Sequence, residues 1–575
     1  MTLLVSLLGG CAWGITRTAE NVGPGSATVT GLVAETSDSL VNYWFEYGPT
    51  KNYGYETTHR STNLAAGKTQ AVSEDLADLN PGSKYHFRLC AKEPDGTQSL
   101  KVCGADDSFT TGGEPSDLAI HLYPGLQPEF DPDVFDYVTR CTTDPITVDI
   151  SAPADTTVAV DGDEARSGTF TEDLQLSAGK SFELAIDDGS GTSTYYVRCL
   201  PVDFPAFSWT NPGDPSANFY IVTPRNVLTP SGASAGDYVT VFDDQGVPIW
   251  WMKSSSPMDA KMLADHTLAW GRPSANGFEI HDLDGTLLKT WRPVGVPVDL
   301  HDFQALPNGN VLIGSYPVRP GTTDLSAFGG PATNGTLIDA EIQEIRPDGS
   351  VAWSWNVKDH IELSETPNRW RGEIYGQPRL QPDGRESYDW AHWNSLQKVG
   401  DMLILSFRHL DAVYAVDMAS GDIVWKLGGT SRPESLTVLD DPESNPFSGQ
   451  HYARILPNGD LTLHDNNTHE VAPPRAAQYG LDLSTGTATL LDSVSDPDVT
   501  ASPCCGSATR LEDGSWLASW GGTAVVSEFG SDHSRHFKLQ FTPKAGSLGM
   551  SYRVDAITDS SPTIAAFRDG MNAMP

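Results

Sequence analysis

The chain runs to 575 residues, of which 39% are hydrophobic and only 19% charged, enough for about four domains with buried cores. Asp and Glu number 75 against 37 Lys and Arg, giving a formal charge of −38 and an isoelectric point near 4.5; so acidic a surface argues against nucleic-acid and peripheral-membrane binding. With 15 Trp, 18 Tyr and 20 Phe the chain holds too much apolar area to be disordered, and no apolar run is long enough for a transmembrane helix.

The 54 Gly and 40 Pro are spread evenly, as in a protein of many short strands and turns, and the predicted class is all-β. The chain opens on a short apolar stretch, Met1 to Leu8, ending in Gly9-Gly10-Cys11. It reads as a signal over residues 1–20 that lacks a positive n-region. Leu8-Gly9-Gly10-Cys11 resembles a bacterial lipoprotein box, with a lipid anchor at Cys11; an ordinary signal peptide that removes Cys11 is the alternative. Either way six cysteines remain, an even set. Cys90 and Cys103 face each other across a predicted hairpin, Cys141 and Cys199 bracket a second segment, and Cys504-Cys505 could close a strained vicinal disulfide. Pairing within separate segments points to an oxidising compartment, so the protein is expected to be exported, extracellular or at the cell surface, or periplasmic in a Gram-negative cell.

Residues 21–113 alternate in short strands, and Leu79-Asn80-Pro81-Gly82-Ser83-Lys84-Tyr85 feeds a tyrosine into a strand. This resembles the tyrosine corner of fibronectin type III sandwiches. Residues 114–203 are similar to cadherin-like sandwiches. Neither segment shows a catalytic constellation, and both read as spacers.

From 204 to 557 the chain repeats. One element is a turn followed by Trp: Gly246 then Trp250, Gly285 then Trp291, Gly349 then Trp353, Gly421 then Trp425. The other is a strand, a tight turn and a strand, in HDFQALPNGNVLI from 301, HWNSLQKVGDMLI from 392, HYARILPNGDLTL from 451 and GSATRLEDGSWLA from 506, with a weaker copy from 258. With a first strand set from Phe219 to Trp251, completed by the strand around Tyr552-Arg553-Val554, these units predict a six-bladed β-propeller, with seven blades as the alternative count. The excess length lies in insertions at 316–338 and 357–388, and residues 558–575 read as a loose tail.

Aligned on the turn glycines Gly309, Gly400, Gly459 and Gly514, the position eight residues earlier is His301, His392, His451 and Gly506; the weak copy has Met258 there. Three of the 14 histidines thus share one register in three blades, where rotation about a propeller axis would bring them together. Because Met258 and Gly506 occupy the same register, the fold does not demand histidine there, and a functional site is the better reading than a structural hydrogen bond. Asn394 shares a strand face with His392. Arg408 suits an anionic group, although a salt bridge to a surface carboxylate is its bland alternative, and Ser507 could add a hydroxyl donor.

These motifs, LHDFQALPNG, DWAHWNSL, SFRHLDAVYAVD and GQHYARILPNGDLTLHDNN, resemble the bacterial arylsulfate sulfotransferases. Those six-bladed propellers move a sulfuryl group between phenols without an adenosine-based donor. The resemblance implies a transient sulfohistidine at His451, further site residues at His301, His392, Asn394 and Arg408, and a hydroxyl ligand near Ser507, where CCGSATRL departs from the family. It implies ping-pong kinetics, an aryl sulfate donor, a phenolic acceptor, no cofactor and no metal. On chemical grounds His451 would attack sulfur, His392, Asn394 and Arg408 would hold the sulfuryl oxygens, and His301 would be the acid/base, with His301 and His392 interchangeable. Two rivals stand beside this. Three histidines could bind a metal, although that needs second-shell carboxylates; Asp302 and Asp389 are near in sequence, but Asp302 alternates away from His301, and Arg408 disfavours a cation. A non-catalytic surface propeller that binds glycans or proteins is the other. Donor and acceptor identity and oligomeric state are not written in the sequence.

Overall fold

The structure, a computed structural model, describes residues 12–35, 39–93, 101–113, 117–141, 145–227, 236–442, 446–543 and 548–574. The apolar start and the expected lipid attachment at Cys11 lie outside the described residues. The chain divides into two compact units, residues 1–202 and 203–575. It is all-β, with two short α-helices, Arg371–Gly376 and Ile564–Ala573, among the described residues. No helix among them is long and apolar enough to cross a membrane.

The first unit holds two cores. In one, the sheet of Ala12–Glu20, Ala27–Glu35 and Thr69–Leu76 faces the sheet built on Ser39–Gly48 and Lys84–Lys92. Period-two alternation turns Val29, Val33 and Val72 of the first sheet onto Val41, Phe45, Phe87 and Leu89 of the second. Strand Ala12–Glu20 lies inside the segment the sequence reading sets aside as a signal. Tyr85 begins its strand with its hydroxyl accepting the Asn80 N–H at 3.1 Å, which fixes the strand start to the preceding turn. Cys90 and Cys103 are register partners joined by a disulfide. In the other core, Ile120, Val148 and Ile150 pack on Val158, Leu184 and Val197, and Cys141 is bonded to Cys199.

Within the second unit the described residues form six meandering sheets. In chain order they are Phe219–Val227, Tyr238–Asp243 and Pro248–Lys253; Met258–Met262 to Leu287–Trp291; Val298–Ala305 to Val351–Asn356; Trp393–Val399 to Ile423–Gly428; His451–Ile455 to Thr487–Val494; and Ser507–Arg510 to Arg535–Thr542. The late strand Leu548–Ile557 returns to pair with Phe219–Val227, and Ala206–Thr210 pairs with Arg535–Thr542, so both ends of the unit stitch into sheets made by the other. The leading strands touch one another in sequence, Met258–Met262 on Val298–Ala305, that on Trp393–Val399, and that on His451–Ile455. The repeated Trp residues are packing groups: Trp250 Nε1 donates to Leu283 O at 2.7 Å and Trp353 Nε1 to Met418 O at 2.8 Å, each tying one sheet to the next.

The two insertions pair with each other. Gly335–Ile338 runs parallel to Glu386–Asp389, which also pairs with Arg379–Leu380. Their excess length therefore builds a small extra sheet that carries Asp389 to the start of the fourth meander. The expected loose tail is instead ordered. Thr563 caps helix Ile564–Ala573 by accepting the Ala566 N–H, and the buried Phe567 ring packs 5.1 Å from that of Phe219.

Candidate active site

The register found in the sequence corresponds to an irregularity in the structure. Strand pairing slips between Met258 and Lys261, Val298 and Phe303, Trp393 and Ser395, and His451 and Arg454. A bulge bends a strand and re-aims the side chains beside it, and here it does so at the head of four leading strands, while Ser507–Arg510 pairs without a shift. His392 itself takes a left-handed conformation, φ 51°, as does Tyr452, φ 55°, immediately after His451. Such backbone is costly for side-chain-bearing residues and collects at functional sites.

His451 is 1% exposed, and every polar contact of its ring is accounted for. Nδ1 lies 2.9 Å from Gly449 O and 2.7 Å from Asn466 Oδ1. Both are acceptors once the Asn466 amide nitrogen is seen to donate to Ser502 Oγ at 2.9 Å and Cys505 O at 3.0 Å, so Nδ1 carries the proton. Nε2 is then the lone-pair nitrogen, and it accepts the Cys505 N–H at 3.2 Å. Burial first, then the neighbouring Arg408 charge, holds the His451 pKa well below the ordinary histidine range, so the ring is neutral at physiological pH.

The other two histidines are carboxylate dyads. His301 Nδ1 lies 2.8 Å from both oxygens of Asp299, and His392 Nδ1 lies 2.7 Å from Asp389 Oδ2. Their rings are 5.1 Å apart, edge to face, with Tyr316 5.9 Å from each and Tyr552 6.0 Å from His301. His301 and Arg408 both act on the charge state of His451. Burial pushes the His392 pKa down to about 4, against the opposing pull of Asp389. The Asp389 carboxyl, despite a burial penalty, is held below its ordinary range by His392, His409 and Arg379.

Arg408 is buried against the Trp370 ring, 4.4 Å from its centroid. Nη1 donates to Glu373 Oε1 at 2.6 Å and lies 2.8 Å from His409 Nε2; Nη2 reaches Pro503 O at 3.4 Å. Its Nε is buried without a partner. The carboxylate alternative raised by the sequence is thus present, because insertion helix Arg371–Gly376 delivers Glu373, but it leaves part of the guanidinium open. Asn394 donates one amide N–H to Gln450 O at 2.7 Å, the carbonyl just before His451, and its Oδ1 is buried and unpartnered. It braces the His451 strand.

Ser507 is a correction. Its hydroxyl sits between the Val554 N–H at 3.1 Å and Val554 O at 3.3 Å, because its strand opens against Leu548–Ile557. The preceding residues take the expected place, Cys505 through its amide. The vicinal disulfide is corrected as well: Cys504 and Cys505 are free thiols, Sγ to Sγ 2.9 Å, with Cys505 the donor. Asp389, weighed in the sequence only as a carboxylate behind a metal-bound imidazole, is the partner of His392, whereas Asp299, Asn466 and Glu373 are residues that the sequence reading did not assign to the site. The only available signals were DLHDF, with an acid two residues before its histidine, and the HDNN that ends the His451 motif.

A cavity of about 410 Å³ adjoins His301, lined by apolar Met258, Val298, Leu300 and Ile338 together with Tyr316 and Arg379. Metal ligation is less well served. The site ligand atoms that gather within 4.8 Å belong to Asp389, His392 and His409 and not to the three in-register histidines, and Arg408 stands 2.8 Å from His409 Nε2.

No curated protein matches the chain. Among solved structures, a protein of unknown function from Bacteroides caccae is similar over 60% of this chain and 100% of its own, at 12% identity and a TM-score of 0.36. Virginiamycin B lyase from Staphylococcus aureus covers 60% of this chain and 99% of its own at 12% identity and a TM-score of 0.30. NanB sialidase from Streptococcus pneumoniae covers 92% and 95% at 7% identity and a TM-score of 0.23. Residues 277–542 match the family model described as Arylsulfotransferase (ASST), the family that the motifs of the C-terminal region resemble.

Proposed function

We propose that the second unit is a closed six-bladed propeller that transfers a sulfuryl group from an aryl sulfate ester to a phenol through His451, without an adenosine-based donor. The observation that carries this is the fixed tautomer of His451. Gly449 O and Asn466 Oδ1 hold the proton on Nδ1 and burial keeps the ring neutral, leaving Nε2 as a nucleophile that needs no deprotonation. The family match supports arylsulfotransferase activity.

In the first half-reaction the Nε2 lone pair forms a bond to sulfur and the bond from sulfur to the aryl oxygen breaks. His301 in its imidazolium form, steadied by Asp299, gives the departing phenolate its proton. In the second half the phenol acceptor returns that proton to His301 as its oxygen attacks sulfur and the N–S bond breaks. The Cys505 N–H, released from Nε2, is placed to donate to a sulfuryl oxygen, and Arg408 neutralises charge spread over those oxygens. The order of events is ping-pong. The apolar cavity beside His301 suits the aryl ring.

Two disulfides in the first unit favour an oxidising, exported setting. The fibronectin-like and cadherin-like pair would then be spacers, and a lipid at Cys11 or a cleaved signal would decide attachment. The deciding experiment measures nitrophenolate release from para-nitrophenyl sulfate with a phenol acceptor, no nucleotide, with and without chelator. Acceptor-dependent release that survives chelation is expected. Release lost to chelator would favour a metal enzyme, and none across a panel of aryl sulfates would sink the reading.

A further inference from the structure

Arg225 is anomalous. Acids outnumber bases two to one in this chain, yet among the described residues Arg225 forms no ion pair with a carboxylate. Nη2 donates to Met550 Sδ at 3.3 Å and Nε is buried without a partner. Met550 packs with Cys505 and Tyr552, and Cys504 lies against the same cluster. A guanidinium so placed calls for an anion. The Cys504 thiol feels the charges of both Arg225 and Arg408; it packs beside Met550 and follows Pro503, whose carbonyl Arg408 Nη2 reaches at 3.4 Å.

We propose that Cys504 and Cys505 form a redox modification site that sets how tightly the active site holds a sulfate ester: as a dithiol, Cys504 is the internal counter-ion of Arg225 and Arg408, and closure to a vicinal disulfide withdraws it. This rests on the transfer reaction proposed above. The thiols are already arranged for it, with Cys505 Sγ–H donating to Cys504 Sγ at 2.9 Å. That hydrogen bond first, then Arg408, Arg225 and His301 acting against burial, brings the Cys504 pKa down to about 7, while Cys505 is raised well above the usual thiol range. Cys504 is the nucleophile and Cys505 the resolving thiol.

The co-reactant is a small-molecule disulfide. The Cys504 thiolate attacks one of its sulfurs, forming a mixed disulfide and releasing a thiolate. The Cys505 sulfur then attacks Cys504 Sγ, the mixed S–S bond breaks, and the second thiolate takes the Cys505 proton. Two electrons leave the protein and two small thiols form. Neighbouring Cα atoms across a trans peptide stand about 3.8 Å apart, below the usual disulfide range of about 4.4 Å and up. Such a bond is strained and easily reduced, which suits a reversible switch. Closure leaves a neutral group, so Arg225 faces an incoming sulfate with no thiolate beside it and Arg408 is opposed by Glu373 alone. The groups facing Cys504 are Cys505, Arg408, Arg225 and His301. Nearby His451 is neutral and Tyr552, with its pKa raised well above the usual range, stays protonated.

The test compares protein treated with oxidised glutathione and with mild dithiothreitol, with the 504–505 peptide followed by mass spectrometry. Oxidation is expected to lower KM for para-nitrophenyl sulfate roughly tenfold at about pH 8, with the difference closing toward about pH 6 as the reduced thiol becomes protonated. Cys504→Ser, which keeps both other disulfides, should show the low KM in either state. An oxidised KM equal to or above the reduced one, a Cys504→Ser variant as redox-sensitive as the parent, or no disulfide in the peptide would each overturn the proposal. Absence of transfer in every state would count against the sulfotransferase reading instead, and calorimetric binding of inorganic sulfate, tighter in the oxidised protein, would still decide the switch.

Discussion

Asn466 Oδ1 stands 2.7 Å from His451 Nδ1 while the same amide's nitrogen holds the Cys505 carbonyl at 3.0 Å. One side chain therefore sets both the tautomer of the proposed nucleophile and the position of the loop whose N–H caps its other nitrogen. Replacing Asn466 by Ala is expected to lower kcat roughly 100- to 1,000-fold, because Nδ1 and Nε2 then compete for the proton. Asn466→Asp should recover part of that rate and also raise the His451 pKa, moving the acid limb of the kcat profile to higher pH. A profile that stays put in both variants would mean Asn466 merely packs.

The two carboxylate dyads separate acid catalysis from binding. If His301 protonates the leaving group, Asp299→Asn should hurt phenyl sulfate, whose phenolate is a poor leaving group, at least about tenfold more than para-nitrophenyl sulfate. Asp389→Asn should reduce both donors alike. Steady-state rates over a series of substituted phenyl sulfates give the answer as a slope. A steeper slope in Asp389→Asn than in Asp299→Asn would exchange the roles of His301 and His392.

Much of this was readable beforehand, and what was not has physical causes. His301, His392 and His451 share a register because repeats propagate position, so counting back from a turn glycine found the leading-strand heads. Their partners do not repeat. Asp389 arrives from an insertion that pairs with another insertion, Glu373 from a single helical turn, and Asn466 from beyond the end of its strand. Side-chain commitments are equally silent in sequence: nothing in CCGSATRL says that Ser507 will be held by Val554 while Cys505 turns its amide to His451. The disulfide Cys90–Cys103 was legible because strand pairing sets the two face to face, and Cys141–Cys199 because the two bracket one segment, Cys141 following the strand whose Thr139 is the register partner of Cys199, whereas adjacent cysteines carry no such constraint.

Arg408 is shared between its carboxylate and the site. Glu373→Gln removes the charge that competes for it, with Nη1 2.6 Å from Oε1, and should lower KM for the anionic donor severalfold with little change in kcat. Arg408→Lys loses the planar fork as well as the stacking on Trp370, and kcat/KM should fall about 100-fold. A Lys variant with full activity would reduce Arg408 to a structural ion pair.

Two buried groups should make the units respond oppositely to pH. In the first unit Asp149, 2% exposed, has its pKa raised to about 7 by burial, against weak hydrogen bonds from Thr171 and Asn80. A raised folded pKa contributes stability that is complete below the unfolded value near 4 and is lost as pH rises through about 7. Asp149→Asn should therefore gain stability over the parent at about pH 7, on the order of a few kcal/mol, and lose that advantage toward about pH 4. In the second unit burial lowers the His464 pKa to about 3. A depressed folded pKa contributes stability present above the unfolded value near 6.5 and lost as pH falls toward about 3. His464→Gln should match the parent near neutrality and outlast it in acid. Calorimetric scans of the two variants at about pH 4.5 and about pH 7 read both effects. An Asp149→Asn advantage that grows in acid would show that this carboxyl is paired and ionised in the fold, contrary to the burial that sets its pKa.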